Sequence, residues 1–225
     1  MLKPYYEHKG ITIYHGDSRE ILERRLLPEW GTFGQGVELV VTDPPYGMDY
    51  HSGYYKYGNP HEKVIGDESF PWEAINECRS MATVGVYAFC RWDNIVDLEV
   101  QPKSYLVWAK NNWTAGDLEH AHGRMWEGVA WWPGPNHKFT RRAPDVLKFD
   151  RVSPTHLQHP TEKPVGLIRE LIECNVCSTI LDPFMGSGTT LRAAKDLGRS
   201  AIGIEIEEKY CEIAANRLGQ DVFGF

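Results

Sequence analysis

The sequence predicts an α/β fold, a Rossmann-like, doubly wound and mostly parallel sheet, on three observations. Short aliphatic and β-branched runs at 37–42, 84–90, 178–182 and 200–204 alternate with amphipathic stretches. Strands buried on both faces of a parallel sheet read this way. Two of those runs end on an acid at a turn, Asp43 and Asp182, and open α/β sheets gather their ligands at the carboxyl ends of strands. Gly186-Ser187-Gly188 then leads from strand into helix, a turn whose amides suit a bound ligand.

The elements follow in order. Residues 11–14 alternate as a strand, and Gly16-Asp17-Ser18 opens a helix expected over 19–27 with Asp17 or Ser18 as N-cap. Residues 31–36 form a loop before the strand at 37–42. The stretch 47–67, rich in Gly, Tyr, His and Asn, reads as an active-site loop. A helix over 72–81 precedes strands at 84–90 and 104–108. Residues 111–159 read as loop-heavy, with Trp113, Trp126, Trp131 and Trp132 forming a small subcore under the loops. A helix over 165–173 leads to the strand at 178–182, a helix beginning near Thr189, and the strand at 200–204 capped by Glu205. The length of 225 residues suits a single α/β domain over 1–225.

Asp43-Pro44-Pro45-Tyr46 carries the most specific chemistry. Each proline fixes φ and lacks an N–H, which leaves the Pro44 carbonyl to accept from a ligand. A carboxylate, a carbonyl and an aromatic ring together suit an amino group on a flat heterocycle. A proline turn with a capping Asp is the bland alternative. Glu205 stands near the distance downstream of Gly186 at which an acid meets ribose hydroxyls in dinucleotide folds. The turn lacks both the third glycine of that fingerprint and the lysine of a P-loop. A carboxylated nucleoside therefore fits it better than a pyrophosphate.

Composition narrows the class. No N-terminal apolar segment or membrane-length run is seen, and five scattered cysteines suit a reducing compartment. Cys174-Asn175-Val176-Cys177 has metal or redox spacing but no second such pair, so core packing is the expectation. A net charge of −7 opposes a broad nucleic-acid footprint. Residues 91–164 are the exception, with 10 basic and 9 acidic side chains. Phosphate contacts are expected there from Arg124, Lys138, Arg141 and Arg142.

Asp43-Pro44-Pro45-Tyr46 and Phe184-Met185-Gly186-Ser187-Gly188 resemble the D-P-P-Y and F-x-G-x-G motifs of amino-group DNA methyltransferases. Their order resembles the circularly permuted β group. His159-Pro160-Thr161-Glu162-Lys163-Pro164 resembles a third element of that family, and Trp108-Ala109-Lys110 and Trp126-Glu127 resemble intermediate ones. The resemblance implies methyl transfer from S-adenosyl-L-methionine to the N6 amino group of adenine in DNA. Cytosine N4 is the alternative, for which the family more often has Ser in place of Asp43. A non-catalytic nucleic-acid-binding module is the third reading. Ring-carbon methylation is disfavoured, since no cysteine follows a proline, and no metal is required.

The resemblance also assigns roles. Asp43, Pro44, Pro45 and Tyr46 would act on the target base, with Tyr46 stacked on it. Asp182, Phe184, Gly186, Ser187, Gly188 and Thr189 would line the cofactor pocket, with Glu205 on the ribose. Asp17 would lie near the cofactor adenine and Lys163 would pair with the cofactor carboxylate. Residues 111–159 would form the target-recognition segment. Double-stranded DNA with a flipped base is the implied partner, a homodimer is an implied assembly, and no membrane is involved. The implied location is the cytoplasm of a bacterial, archaeal or phage-infected cell. Permutation would set the Ile11 strand beside the Ile202 strand.

Overall fold

The computed structural model describes residues 2–24, 26–27, 37–48, 67–96, 100–114, 119–120, 122–153 and 162–219. Among them nine strands form one sheet: β1 (Tyr6–His8), β2 (Ile11–His15), β3 (Leu39–Thr42), β4 (Gly85–Cys90), β5 (Ser104–Thr114), β6 (Arg124–Pro133), β7 (Val146–Lys148), β8 (Thr179–Asp182) and β9 (Ser200–Glu205). Among the described residues five helices pack on it: α1 (Ser18–Glu23), α2 (Trp72–Met81), α3 (Val165–Glu173), α4 (Thr189–Asp196) and α5 (Glu208–Gly219).

The strand order is β1-β2-β9-β8-β3-β4-β6-β5-β7. The run β2-β9-β8-β3-β4 is parallel, while β6 lies antiparallel to both β4 and β5. β3 and β4 are fully buried because neighbours cover both faces, which is why they read as continuous apolar runs. Alternate residues divide between two cores. Leu39, Val41, Tyr87 and Phe89 pack with α3, α4 and α5, while Val40, Val86, Ala88 and Cys90 pack with α1 and α2. Helices on both faces make the sheet doubly wound. Ile11 pairs with Ala201 and Thr12 with Ile202, as the permuted order implies.

The chain leaves β8 through α4 toward β9 on one side, and leaves β3 through α2 toward β4 on the other. The strand order therefore reverses between β8 and β3, which places Asp182 and Asp43 at the switch point where such sheets bind ligands.

Two expectations change. The first helix is Ser18–Glu23 rather than 19–27. The 111–159 stretch, expected as loop-heavy, contributes β6 to the sheet interior. Its Trp131 and Trp132 belong to the two main cores, with Trp131 stacked on Tyr87 at 4.0 Å. The Gly, Pro and His around these tryptophans disguised a strand whose buried residues pair across β4 and β5. Most of the 47–67 loop lies outside the described residues.

Candidate active site

A cavity of about 670 Å³ opens along the carboxyl edge of the sheet, within the size range of small-molecule sites. Gly16 after β2, Asp43 after β3, Arg91 after β4, Lys110 on β5, Glu127 on β6, Arg151 after β7, Asp182 on β8 and Glu205 on β9 all reach it. Parallel strands bring their carboxyl ends to one edge, and antiparallel β6 brings its beginning there.

One half is built on backbone. Gly186 and Gly188 adopt φ of 51° and 81°, the left-handed region that glycine enters without strain. At Gly188 a side chain would also meet the Ala214 Cβ at 2.8 Å. This glycine thus permits close packing on α5, whereas the sequence suggested only ligand approach. Gly186 N–H donates to Glu205 Oε2 at 3.0 Å and Glu207 N–H to Oε1 at 2.8 Å. Burial still pushes the Glu205 carboxyl up to about 7, those backbone N–H bonds opposing it. Asp182 accepts from the Thr42 hydroxyl at 2.8 Å and the Phe184 N–H at 3.1 Å, and burial raises it to about 6. Ser187 and Thr189 are buried at the start of α4. Asp17 caps α1 by accepting from Arg19 N–H at 2.9 Å and also lines the cavity. The carboxyls of Asp17, Asp182 and Glu205 with the ring of Phe184 suit a nucleoside with hydroxyl and amino donors and disfavour a pyrophosphate.

The other half is a network of side chains. The Tyr46 hydroxyl lies 2.7 Å from Asp43 Oδ1 and 3.1 Å from Glu127 Oε2. It has one proton to donate. Lys163 Nζ sits 2.5 Å from Asp43 Oδ2 and 3.2 Å from Glu127 Oε2, and Lys110 bonds Glu127 Oε1. Lys163 is 6 % exposed and Lys110 7 %. Asp43 and Glu127 keep some accessibility, but toward the cavity. Burial opposes the charge of each group, and the partners answer it unequally. Burial raises the Asp43 carboxyl despite Lys163. Burial also pushes Glu127 up, but the two ammoniums outweigh it and hold Glu127 down to about 2. Burial disfavours the charged Lys163, but Asp43 and Glu127 raise its pKa, whereas burial prevails at Lys110 and lowers it. Asn94 Nδ2 donates to the Tyr46 carbonyl at 3.0 Å and fixes the motif's backbone.

Three groups of expected site residues take these places. Lys163, expected beside a cofactor carboxylate, is paired with the half-buried carboxylates of Asp43 and Glu127. The Tyr46 hydroxyl engages Asp43 and Glu127, which anchors the tip of the side chain, and its ring lies 5.6 Å from Lys163 Nζ. Lys138, Arg141 and Arg142 sit at the opposite edge of the sheet. Val176 N–H donates to the Lys138 carbonyl, Thr140 N–H to Cys174, and Arg141 pairs with Glu170 of α3 at 2.5 Å. A six-residue strand such as β4 separates the two edges by about 20 Å. Of the four expected phosphate contacts, Arg124 alone lines the cavity. Glu162 pairs with Arg217 of α5 at 2.8 Å, docking its segment beside the glycine turn, while 154–161 lies outside the described residues. Glu127 and Lys110 had no assigned role in the sequence. Their apolar, aromatic surroundings, Trp126-Glu127 and Trp108-Ala109-Lys110, were the available signal, since charges in such runs need partners when buried.

No group of three or more metal-ligating side chains occurs among the described residues. Cys174 is buried and Cys177 contacts Arg199, as core packing requires. No helix among the described residues is long and apolar enough to cross a membrane.

The family model described as DNA methylase matches residues 99–216. The type II methyltransferase M.HinfI of Haemophilus influenzae is 47% identical over 92% of this chain and 68% of its own length. M.HpaI of Haemophilus parainfluenzae is 45% identical over 84% and 70%. The DNA adenine methyltransferase YhdJ of Escherichia coli (strain K12) is 27% identical over 95% and 84%. Among solved structures, the M1.HpyAVI–SAM complex superposes with a TM-score of 0.61 and 26% identity, covering 92% of this chain and 99% of that one. The cytosine-N4-specific PvuII DNA methyltransferase gives 0.73 at 18% identity, covering 99% and 91%, a likeness of fold. The chain belongs to the DNA methylase family whose members methylate exocyclic amino groups, N6 or N4.

Proposed function

We propose that this protein methylates the N6 amino group of adenine in DNA, on a base turned out of the duplex into the cavity. Bound S-adenosyl-L-methionine supplies a methyl group on a cationic sulfur, ready for displacement by nitrogen. The observation that carries the proposal is that Asp43 and Pro44 line one cavity with the Gly186–Gly188 turn, at the switch point of the sheet. An amino group buried there cannot remain paired in a duplex.

Adenine N6 is a poor nucleophile because its lone pair is spread into the ring. Accepting its two N–H groups at Asp43 and Pro44 favours a pyramidal nitrogen with a localised lone pair. Both acceptors strengthen as positive charge grows on nitrogen, which is stabilisation specific to the transition state. As the N–C bond forms and the C–S bond breaks, the nitrogen carries a surplus proton. Asp43 is the base in contact with it, and burial has already raised its affinity for that proton. Glu127 balances the second ammonium, so two cations and two anions leave the site near neutral. A cationic donor is then not repelled. Glu205 accepts from the ribose hydroxyls, Asp182 and Phe184 enclose the nucleoside, and Ser187 and Thr189 lie at its amino-acid end.

Asp43, rather than Ser, favours adenine over cytosine, as does the likeness to a DNA adenine methyltransferase. Cytoplasmic action on the cell's own DNA, with a dimer presenting two sites, accords with this chemistry. The test is methyl transfer from labelled S-adenosylmethionine to genomic DNA, followed by nucleoside digestion and chromatography. Label in N6-methyladenine is expected. Label confined to N4-methylcytosine would overturn the base assignment.

A further inference from the structure

Two large indoles stand at the mouth of the cavity with much of their surface in solvent. Trp92 is 57 % exposed and Trp126 41 %. Cys90 of β4 pairs with Gly128 of β6, and each tryptophan lies two positions beyond that last pair toward the carboxyl edge. The two are thus brought to neighbouring places at the carboxyl edge, and both line the cavity. Met48, 40 % exposed, lines it as well. Exposed apolar surface of this size marks a binding surface. The cavity lining also includes Arg91, Arg124 and Arg151, of which Arg91 is tied to Asp93 at 2.9 Å. Neither the β4–β6 ladder nor the two cores need these indoles, since both cores close beneath them.

We propose that Trp92 and Trp126 form a stacking platform for unpaired bases flanking the target, so that the mouth takes DNA as a locally single strand. The inference rests on DNA methylation at this cavity and deepens it by naming the form of the substrate. Aromatic faces stack on bases only when those bases have left their own stack, and stacking of this kind is tolerant of sequence. A closed duplex offers the platform phosphates and groove edges instead. Only a few cations are present here to meet them, because Lys138, Arg141 and Arg142 lie at the far edge. An unpaired strand thus gains contacts that a duplex must first be opened to make.

The experiment is anisotropy of a labelled mixed-sequence 30-mer, single-stranded and duplex, titrated with wild type, Trp92→Ala, Trp126→Ala and the corresponding Phe variants. Methyl incorporation into heat-denatured and native genomic DNA is measured in parallel. The single strand should bind the wild type at least as tightly as the duplex. Each alanine change should weaken single-strand binding by about tenfold, with phenylalanine restoring most of it. Denatured DNA should accept methyl groups at least as fast as native DNA. A duplex preference of tenfold or more, or alanine variants that hold the single strand as the wild type does, would overturn the platform. Absence of transfer to either DNA form would instead count against methylation itself, since the binding arms need no turnover. Unchanged S-adenosylmethionine affinity in the variants separates loss of stacking from loss of fold.

Discussion

The cavity joins two halves held in different ways. The half around Gly186 and Glu205 is backbone geometry: positive φ at two glycines, N–H groups on a carboxylate, and a helix start, all within residues 182–207. The half around Asp43 is five side chains from β3's end, β5, β6 and the segment before α3, spread from Asp43 to Lys163. A site of the first kind tolerates most side-chain changes and fails when the backbone cannot adopt its path. A site of the second kind fails collectively, because each buried charge relies on its neighbours.

The largest expected effect breaks the second half. Asp43→Ala should reduce methyl transfer by about a thousandfold or more, as loss of a transition-state acceptor does. Cofactor affinity should stay within about tenfold, equivalent to about 1.4 kcal/mol. Titration calorimetry beside single-turnover rates checks both. A large loss of affinity would mean that the halves are not separable.

Next, Glu127→Gln should lower turnover by roughly 10–100-fold, about 1.4–2.8 kcal/mol. It leaves two ammoniums against one carboxylate and pulls Lys163 wholly onto Asp43. Adding Lys163→Met to Glu127→Gln should cost less than the product of the single changes, the signature of a coupled pair. Multiplicative losses in the four-variant cycle would show independent residues.

The first half should break through stability. Gly188→Val forces a side chain into the left-handed region and against Ala214. A loss of roughly 1–3 kcal/mol is expected for the strained backbone alone. Thermal unfolding should show it, and Ala214→Gly should recover the steric share but not the strain.

A subtler effect concerns pH. The folded carboxyl of Glu205, raised by burial to about 7, favours the protonated form. Its contribution to stability is therefore full below the ordinary carboxylate pKa and lost as pH rises through about 7. Ribose hydroxyls prefer the ionised acceptor, so cofactor affinity should move oppositely. It should rise by up to about tenfold per pH unit below 7 and level off above. Affinities at several pH values should show this slope, and Glu205→Gln should flatten it. The smallest effect is expected at the far edge. Replacing Lys138, Arg141 and Arg142 with alanine should leave the salt dependence of DNA binding nearly unchanged. A slope flattened by about one unit per residue would carry the DNA path there.

Legibility in the sequence followed the same division. The glycine turn, Glu205, and the bounds of Trp72–Met81 and Val165–Glu173 could be read because local spacing and periodicity encode them. Asp43-Pro44-Pro45-Tyr46 could be read as a motif. Its hydrogen bonds could not, because Glu127 and Lys163 lie 84 and 120 positions away and meet it only through the sheet. β6 was missed because Trp131-Trp132-Pro133-Gly134-Pro135 reads as loop, although pairing to β4 and β5 decides its state. Local charge likewise marked Lys138–Arg142 as a DNA contact without revealing on which edge of the sheet it lies.

The most direct measurement is mass spectrometry of nucleosides from DNA of a methylation-free host expressing the wild type or Asp43→Ala. N6-methyladenine in the wild-type sample and its absence with the variant, at equal protein levels, is the predicted result. N6-methyladenine persisting with Asp43→Ala, or N4-methylcytosine in its place, would contradict it.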